Sequence, residues 1–242
     1  MLNRRAVVSE RMDALDFSRQ EVVDTFQFIG PVNRWFGGYR PLIAFFNGES
    51  RQWSRDQTYR VLDVGCGAGD IPVALVRWAR QKGFRLQIQA IDHHPETVRL
   101  AQQTCQAYPE IAVAQRDMAD LRSENADYVL ASMFLHHFRD EDIPSVLCHL
   151  LAQCRSQAEG QTNSPKVVIN DLLRAPLAYA GTWLFSVAAP AVFRHDARLS
   201  VRKGFTLPEL RRLLAASGLR QYRLETYFFY RFLLVLYKEN PS

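Results

Sequence analysis

Val61-Leu62-Asp63-Val64-Gly65-Cys66-Gly67-Ala68-Gly69-Asp70 is the stretch from which this chain can be read, an apolar run entering three alternate glycines and then an acid. A buried strand that feeds a glycine-rich turn and then a helix is the setting of a nucleotide-type site. Glycine lets the backbone turn tightly and lets a ligand lie against the main chain. A dinucleotide site would space its glycines as GxGxxG, whereas the third glycine here arrives one residue early. No Gly-Lys-Ser/Thr follows, which excludes a P-loop. Asp63 stands just before the turn and Asp70 just after it, at the predicted helix N-terminus where a phosphate would otherwise bind. Two carboxylates there repel pyrophosphate and favour a cationic ligand.

Outward from the turn, the chain alternates strand and helix signals, the rhythm of a parallel sheet with crossover helices. Strands are predicted over 60–64, 86–91, 111–115, 126–131 and 166–170. Ile71, Ala74, Leu75 and Trp78 mark one face of a helix over 71–81 that Gly83 stops, and further helices are expected over 95–108 and 143–154. Residues 156–165 form a polar surface loop. Thr206, Pro208, Glu209 and Gly218 then spell an N-cap, a first-turn proline, the second half of a capping box and a stop. Residues 220–239, rich in Tyr, Phe and Leu, read as two final strands joined by a turn. Near the N-terminus Val22, Phe26 and Ile29 recur at helical spacing, and Gly30-Pro31 and Gly37-Gly38 predict breaks, so residues 19–47 read as short helices. The expected fold is a doubly wound α/β domain with a seven-stranded sheet over 51–242, a helical insert at about 174–204, and an N-terminal helical cap or lid over 1–50.

With 242 residues, 48% of them hydrophobic, the chain can bury the core of one such domain. The net charge of +5 is a mild surplus without any block of like charges, so no nucleic-acid partner is expected. Cys66, Cys105, Cys148 and Cys154 form no CxxC pair and no metal-ligand spacing, as free thiols in a reducing cytoplasm would. The first ten residues turn charged again before a signal-peptide core can form, so a cytoplasmic protein is expected.

The ammonium and sulfonium of S-adenosylmethionine, a cofactor without phosphate, match what Asp63 and Asp70 favour. The glycine run also resembles the first motif of class I S-adenosylmethionine-dependent methyltransferases, and the resemblance continues over residues 60–240. It implies a mostly parallel Rossmann-like sheet with the last strand antiparallel. It also implies that Gly65, Cys66, Gly67 and Gly69 cradle the cofactor, that Asp92 with neighbouring His93 receives the ribose hydroxyls, and that Asp117-Met118 bind the adenine. Ala131 to Phe138, with Ser132 on the cofactor side and Phe134 on the acceptor side, matches the segment after the fourth strand. Within the family the pattern is similar to ubiquinone/menaquinone and other small-molecule methyltransferases. Asn33 to Gly38 and Arg194-His195-Asp196 are closest to bacterial methyltransferases found beside type III polyketide synthases.

Methyl transfer to a hydroxyl asks the protein to align the acceptor and remove its proton. His136 or His137 is the expected base, with only one of the two facing the pocket, and His195 is a third candidate. Asn170, Asp171 and Trp183 are further candidates on the acceptor side, and Arg40 is a candidate for the cofactor carboxylate. The Asn/Asp-Pro-Pro-Tyr/Phe motif of amino-group methylation is absent, and Ser132 breaks the acidic set of metal-dependent catechol methylation, so no metal is expected. The apolar stretch 175–193 is interrupted by Gly181, Thr182, Ser186 and Pro190, which favours an insert lining a hydrophobic pocket over a membrane span and leaves peripheral membrane contact open. The expected reaction is O-methylation of a small aromatic or lipid-like acceptor, phenolic or polyketide-derived. C-methylation of a quinone precursor is the alternative, and a cofactor-binding or membrane-peripheral protein without turnover is the reading outside enzymology. Oligomeric state stays open.

Overall fold

The computed structural model describes residues 2, 4–13, 18–35, 38–156, 164–187, 189 and 191–238. Two helices come first, α1 (Arg19–Trp35) and α2 (Arg40–Glu49), and alternation then begins with β1 (Thr58–Val64) and α3 (Asp70–Lys82). It continues through β2 (Arg85–Asp92), α4 (Pro95–Cys105), β3 (Ile111–Gln115), β4 (Tyr128–Ser132), α5 (Ile143–Ala152) and β5 (Lys166–Leu172). The insert is two helices, α6 (Pro176–Phe185) and α7 (Ala191–Lys203), followed by α8 (Leu207–Ala216), β6 (Tyr222–Tyr227) and β7 (Arg231–Tyr237). Phe36-Gly37, Pro190 and residues 157–163 of the polar loop lie outside the described residues.

One seven-stranded sheet runs in the order β3-β2-β1-β4-β5-β7-β6, with β7 antiparallel to both of its neighbours and the other pairings parallel. Strand alternation builds a core on each face. Leu62, Val64, Val129, Ile169 and Leu234 join α5 and α8 on one side, while Tyr59, Val61, Leu130, Val168 and Val235 join α2 and α3 on the other. Leu42 and Phe46 of α2 are fully enclosed in that second core, so α2 is a structural layer of the sheet domain. Chain order reverses between β1 and β4, and a crevice opens at their C-terminal ends, where ligands bind in open α/β sheets.

The predicted stops and caps are in place: Gly83 ends α3 in the left-handed conformation, and Thr206 and Glu209 close a reciprocal capping box. The expected break at Gly30-Pro31 is absent, because α1 continues through both residues. Proline removes the bond to the carbonyl four residues earlier, which belongs to exposed Gln27 and has water at hand, while buried Val22 and Thr25 anchor the helix. The 175–193 stretch is divided between two helices, and among the described residues no helix is long and apolar enough to cross a membrane.

Thr206→Ala removes the acceptor that Glu209 N–H uses at the head of α8. A loss of about 1 kcal/mol is expected, seen as a lower urea midpoint at unchanged slope.

Candidate active site

The turn after β1 is built from backbone that only glycine adopts freely. Gly65, Gly67 and Gly69 have φ values of 70°, 55° and 81°. A Cβ on Gly65 would stand 2.6 Å from Phe134 Cδ2, and one on Gly69 would stand 2.7 Å from Cys105 Sγ. The Gly65 and Cys66 N–H groups both donate to the Ile91 carbonyl, each at 2.9 Å. Asp92, at the end of β2, accepts from Gly67 N–H at 3.1 Å and His94 N–H at 3.0 Å, tying the two loops together. A cavity of about 610 Å³ runs from Gly65, Gly67 and Asp70 past Asp92, Asp117 and Met118 to Ser132 and Phe134, then on into the insert. Phe26 of α1 lies over this turn, 3.1 Å from where a Gly67 Cβ would be.

Asp63 lies behind the turn, wholly buried, and its Oδ2 has no hydrogen-bond partner. Burial, with Asp70 and Asp92 adding repulsion, pushes its carboxyl up to about 8.

The acceptor half is organised by Asp171. Met133 follows β4 in the left-handed region at φ 53°, a kink held by its N–H donating to Asn170 O at 2.8 Å. Asp171 then accepts from His136 twice, from the backbone N–H at 3.1 Å and from ring Nδ1 at 2.7 Å. On its other side His136 Nε2 faces Glu10, 3.5 Å away, and Lys203 Nζ lies 3.2 Å from the same carboxylate oxygen. Burial opposes charge on all three of Glu10, His136 and Asp171, but mutual attraction prevails. It raises His136 to about 9 and holds the Glu10 and Asp171 carboxyls below the usual carboxylate range. His136 is therefore a cation at neutral pH with both nitrogens committed, unsuited to accept a proton. His137 is half-buried on the cavity wall, its ring centroid 4.2 Å from that of His136.

Glu10, His136 and His137 bring metal-ligand atoms within 4.8 Å of one another. Lys203 sits against that group, so its charge is balanced by a cation of the chain itself.

Residues 61–158 match a methyltransferase domain family. A search of curated proteins finds no match. Among solved structures, the plantazolicin methyltransferase BpumL, in complex with S-adenosylhomocysteine, aligns at TM-score 0.67 with 16% identity, covering 93% of this chain and 95% of that one. Magnesium protoporphyrin IX methyltransferase from Synechocystis PCC 6803, with the same molecule bound, aligns at 0.61 with 15% identity over 95% and 100%. The CMeT domain of the citrinin polyketide synthase aligns at 0.55 with 12% identity over 76% of this chain, which spans about half of that one (48%). Residues 61–158 therefore carry a methyltransferase domain. Its cofactor is S-adenosylmethionine.

The methyltransferase fits that cofactor on its own geometry: the turn is a cradle that side chains would fill, and a buried carboxyl whose Oδ2 has no hydrogen-bond partner lies beneath it. Gly65, Cys66, Gly67, Asp70, Asp92, His93, Asp117, Met118, Ser132, Phe134, His136 and His137 all line the cavity. Both histidines reach it, against the expectation that only one would, because the short helix Leu135–His137 turns too tightly to set neighbouring rings on opposite sides. Several expected contacts are off the wall. Asp63 and Gly69 support the turn from behind, and Asn170 and Asp171 hold Ser132 and His136 from the second layer. Arg40 is exposed at the start of α2. Trp183 is 52% exposed and stacks under Arg198, because α6 turns Ala178, Gly181 and Thr182 toward the cavity instead. His195 points outward, leaving its neighbour Asp196 to face the cavity.

Glu10, Lys203 and Arg231 were not among the residues anticipated from sequence, since no motif or periodicity marks them. Glu10 arrives on an N-terminal segment anchored by Arg5, which donates to the carbonyls of His136, Phe138 and Lys203 and pairs with Asp140 at 2.6 Å.

The raised carboxyl of Asp63 carries a stability signature. The folded state keeps this proton up to about pH 8 while the unfolded chain loses it near 4, so its contribution to stability falls as pH rises between those limits. Asp63→Asn is expected to remove that decline, and its thermal midpoint, measured without cofactor, should gain on the wild type steadily from pH 5 to pH 8.

Proposed function

We propose that the enzyme methylates an oxygen of a small hydrophobic acceptor, phenolic or polyketide-derived, with His137 as the base. The observation that carries this reading is one continuous cavity. It passes from the glycine turn beside His137 into a chamber walled by Leu177, Ala178, Phe193, Ala197 and Val201 of the insert. Such walls accept an apolar body, and the His137 imidazole at the junction meets the acceptor where methyl transfer takes place. The magnesium protoporphyrin and citrinin synthase relatives act on porphyrin and polyketide chemistry, in keeping with a small-molecule acceptor.

In this reading Asp92 receives the ribose hydroxyls, Asp117 and Met118 the adenine, and the backbone of Gly65 to Gly67 the amino-acid portion of the cofactor. Bound S-adenosylmethionine supplies a methyl carbon already activated by positive sulfur. His137 would take the proton of the acceptor hydroxyl, leaving that oxygen ready to receive the methyl group. His136, made cationic and immobile by Asp171 and Glu10, fixes the helical turn that carries His137. The cation-balanced cluster of Glu10, His136 and Lys203 supports catalysis without a metal. The mild, dispersed charge supports a partner other than nucleic acid, and four free thiols are in keeping with a cytoplasmic setting.

His137→Ala should lower turnover of a phenolic acceptor by about 100-fold or more while leaving S-adenosylhomocysteine affinity, measured by calorimetry, unchanged. Unaltered turnover would remove His137 from the mechanism. EDTA should leave the wild-type rate as it was, and a loss restored by divalent cations would instead assign Glu10, His136 and His137 to a metal.

A further inference from the structure

Four lysine and arginine residues are buried as whole residues among the described ones: Lys166, Arg174, Lys203 and Arg231. Three of them have carboxylate partners, Lys166 with Glu49 at 2.6 Å, Arg174 with Glu209 at 2.6 Å, and Lys203 with Glu10 at 3.2 Å. Arg231 has none within ion-pair distance. Its guanidinium donates through Nη1 to Met133 Sδ, a weak and uncharged acceptor. It is only 5% exposed, yet it lines the cavity.

The nearby carboxylates are already committed. Asp171 Oδ1 accepts from the His136 ring and Leu172 N–H, and Asp171 Oδ2 from His136 N–H. Asp196 accepts from the backbone N–H groups of Arg11 and Met12. Around the acceptor end three buried carboxylates, Glu10, Asp171 and Asp196, stand against His136, Lys203 and Arg231, but none of the three lies within ion-pair distance of Arg231. The wall around Arg231 is shaped for contact, since Phe229 and Tyr230, in the turn that leads into β7, hold left-handed φ values of 63° and 54° and both reach the cavity.

We infer that the acceptor carries a carboxylate and that Arg231 binds it. A buried guanidinium without an ion-pair partner is costly, and a planar carboxylate entering this mostly apolar chamber would accept two parallel charge-assisted hydrogen bonds. The substrate class narrows accordingly to a hydroxylated aromatic or polyketide-type acid. The inference rests on the assignment of this chamber to the acceptor, and it makes Arg231 a specificity residue.

The test uses full-length protein saturated with S-adenosylhomocysteine and titrated calorimetrically with 1-hydroxy-2-naphthoate, 4-hydroxybenzoate or salicylate, each beside its neutral methyl ester. The wild type should bind at least one acid about tenfold or more tighter than its ester. Arg231→Met should abolish that preference while keeping ester affinity, and Arg231→Lys should retain part of it; thermal midpoints identify any variant that fails to fold. Equal binding of acid and ester, no binding by any acid, or a preference that survives Arg231→Met would each overturn the inference. Because these titrations involve no turnover, an acid preference lost in Arg231→Met without methylation of any hydroxyl would sink O-methylation and leave the Arg231 assignment standing.

Discussion

Asp92 is the joint on which the site depends. One carboxylate, accepting from Gly67 N–H and His94 N–H, locks the turn after β1 to the loop after β2. That lock holds only if the turn can come close, and three left-handed glycines make this possible where side chains would strike Phe134 and Cys105. The topological reversal between β1 and β4 puts this joint at the mouth of a crevice, so the same backbone that completes the sheet also forms the cofactor floor.

A second, wholly buried electrostatic unit faces it across the cavity. Glu10, His136, Asp171 and Lys203 come from the N-terminal segment, the turn after β4, the end of β5 and the end of α7, four places with no continuous chain between them. Removing one member would leave a buried charge without its partner, a larger penalty than the pair contributes when intact. The cluster therefore acts as an all-or-none clamp on the segment carrying His137, and it makes Glu10 and Met12 of the N-terminal segment part of the active-site wall.

How much of this was legible in sequence follows from the range of each interaction. The Thr206 capping box, the Gly83 stop and the glycine turn are decided within a few residues, and a sequence displays them directly. The acids at strand ends were legible because strand length and order fix where those ends fall. Pro31 misled because the carbonyl it leaves without a helical partner belongs to exposed Gln27, so α1 continues through it. The apolar stretch around Trp183 and the Arg194-His195-Asp196 cluster suggest inward-facing side chains, whereas the phase of a short helix against its neighbours decides which face is buried, and both Trp183 and His195 turn out to solvent.

Glu10 and Arg231 were illegible for the opposite reason. Each is unremarkable in its own neighbourhood and acquires meaning from groups more than 90 positions away: His136 for Glu10, and Met133 for Arg231. The contrast between them is instructive, because both are buried charges and only one is balanced. Glu10 meets two cations and is held ionised, so it serves as structure. Arg231 meets a sulfur and sits near a carboxylate already in use, so the low dielectric around it works against its charge. A folded chain tolerates such an imbalance where a ligand relieves it, and in this enzyme the imbalance lies on the wall of the acceptor chamber.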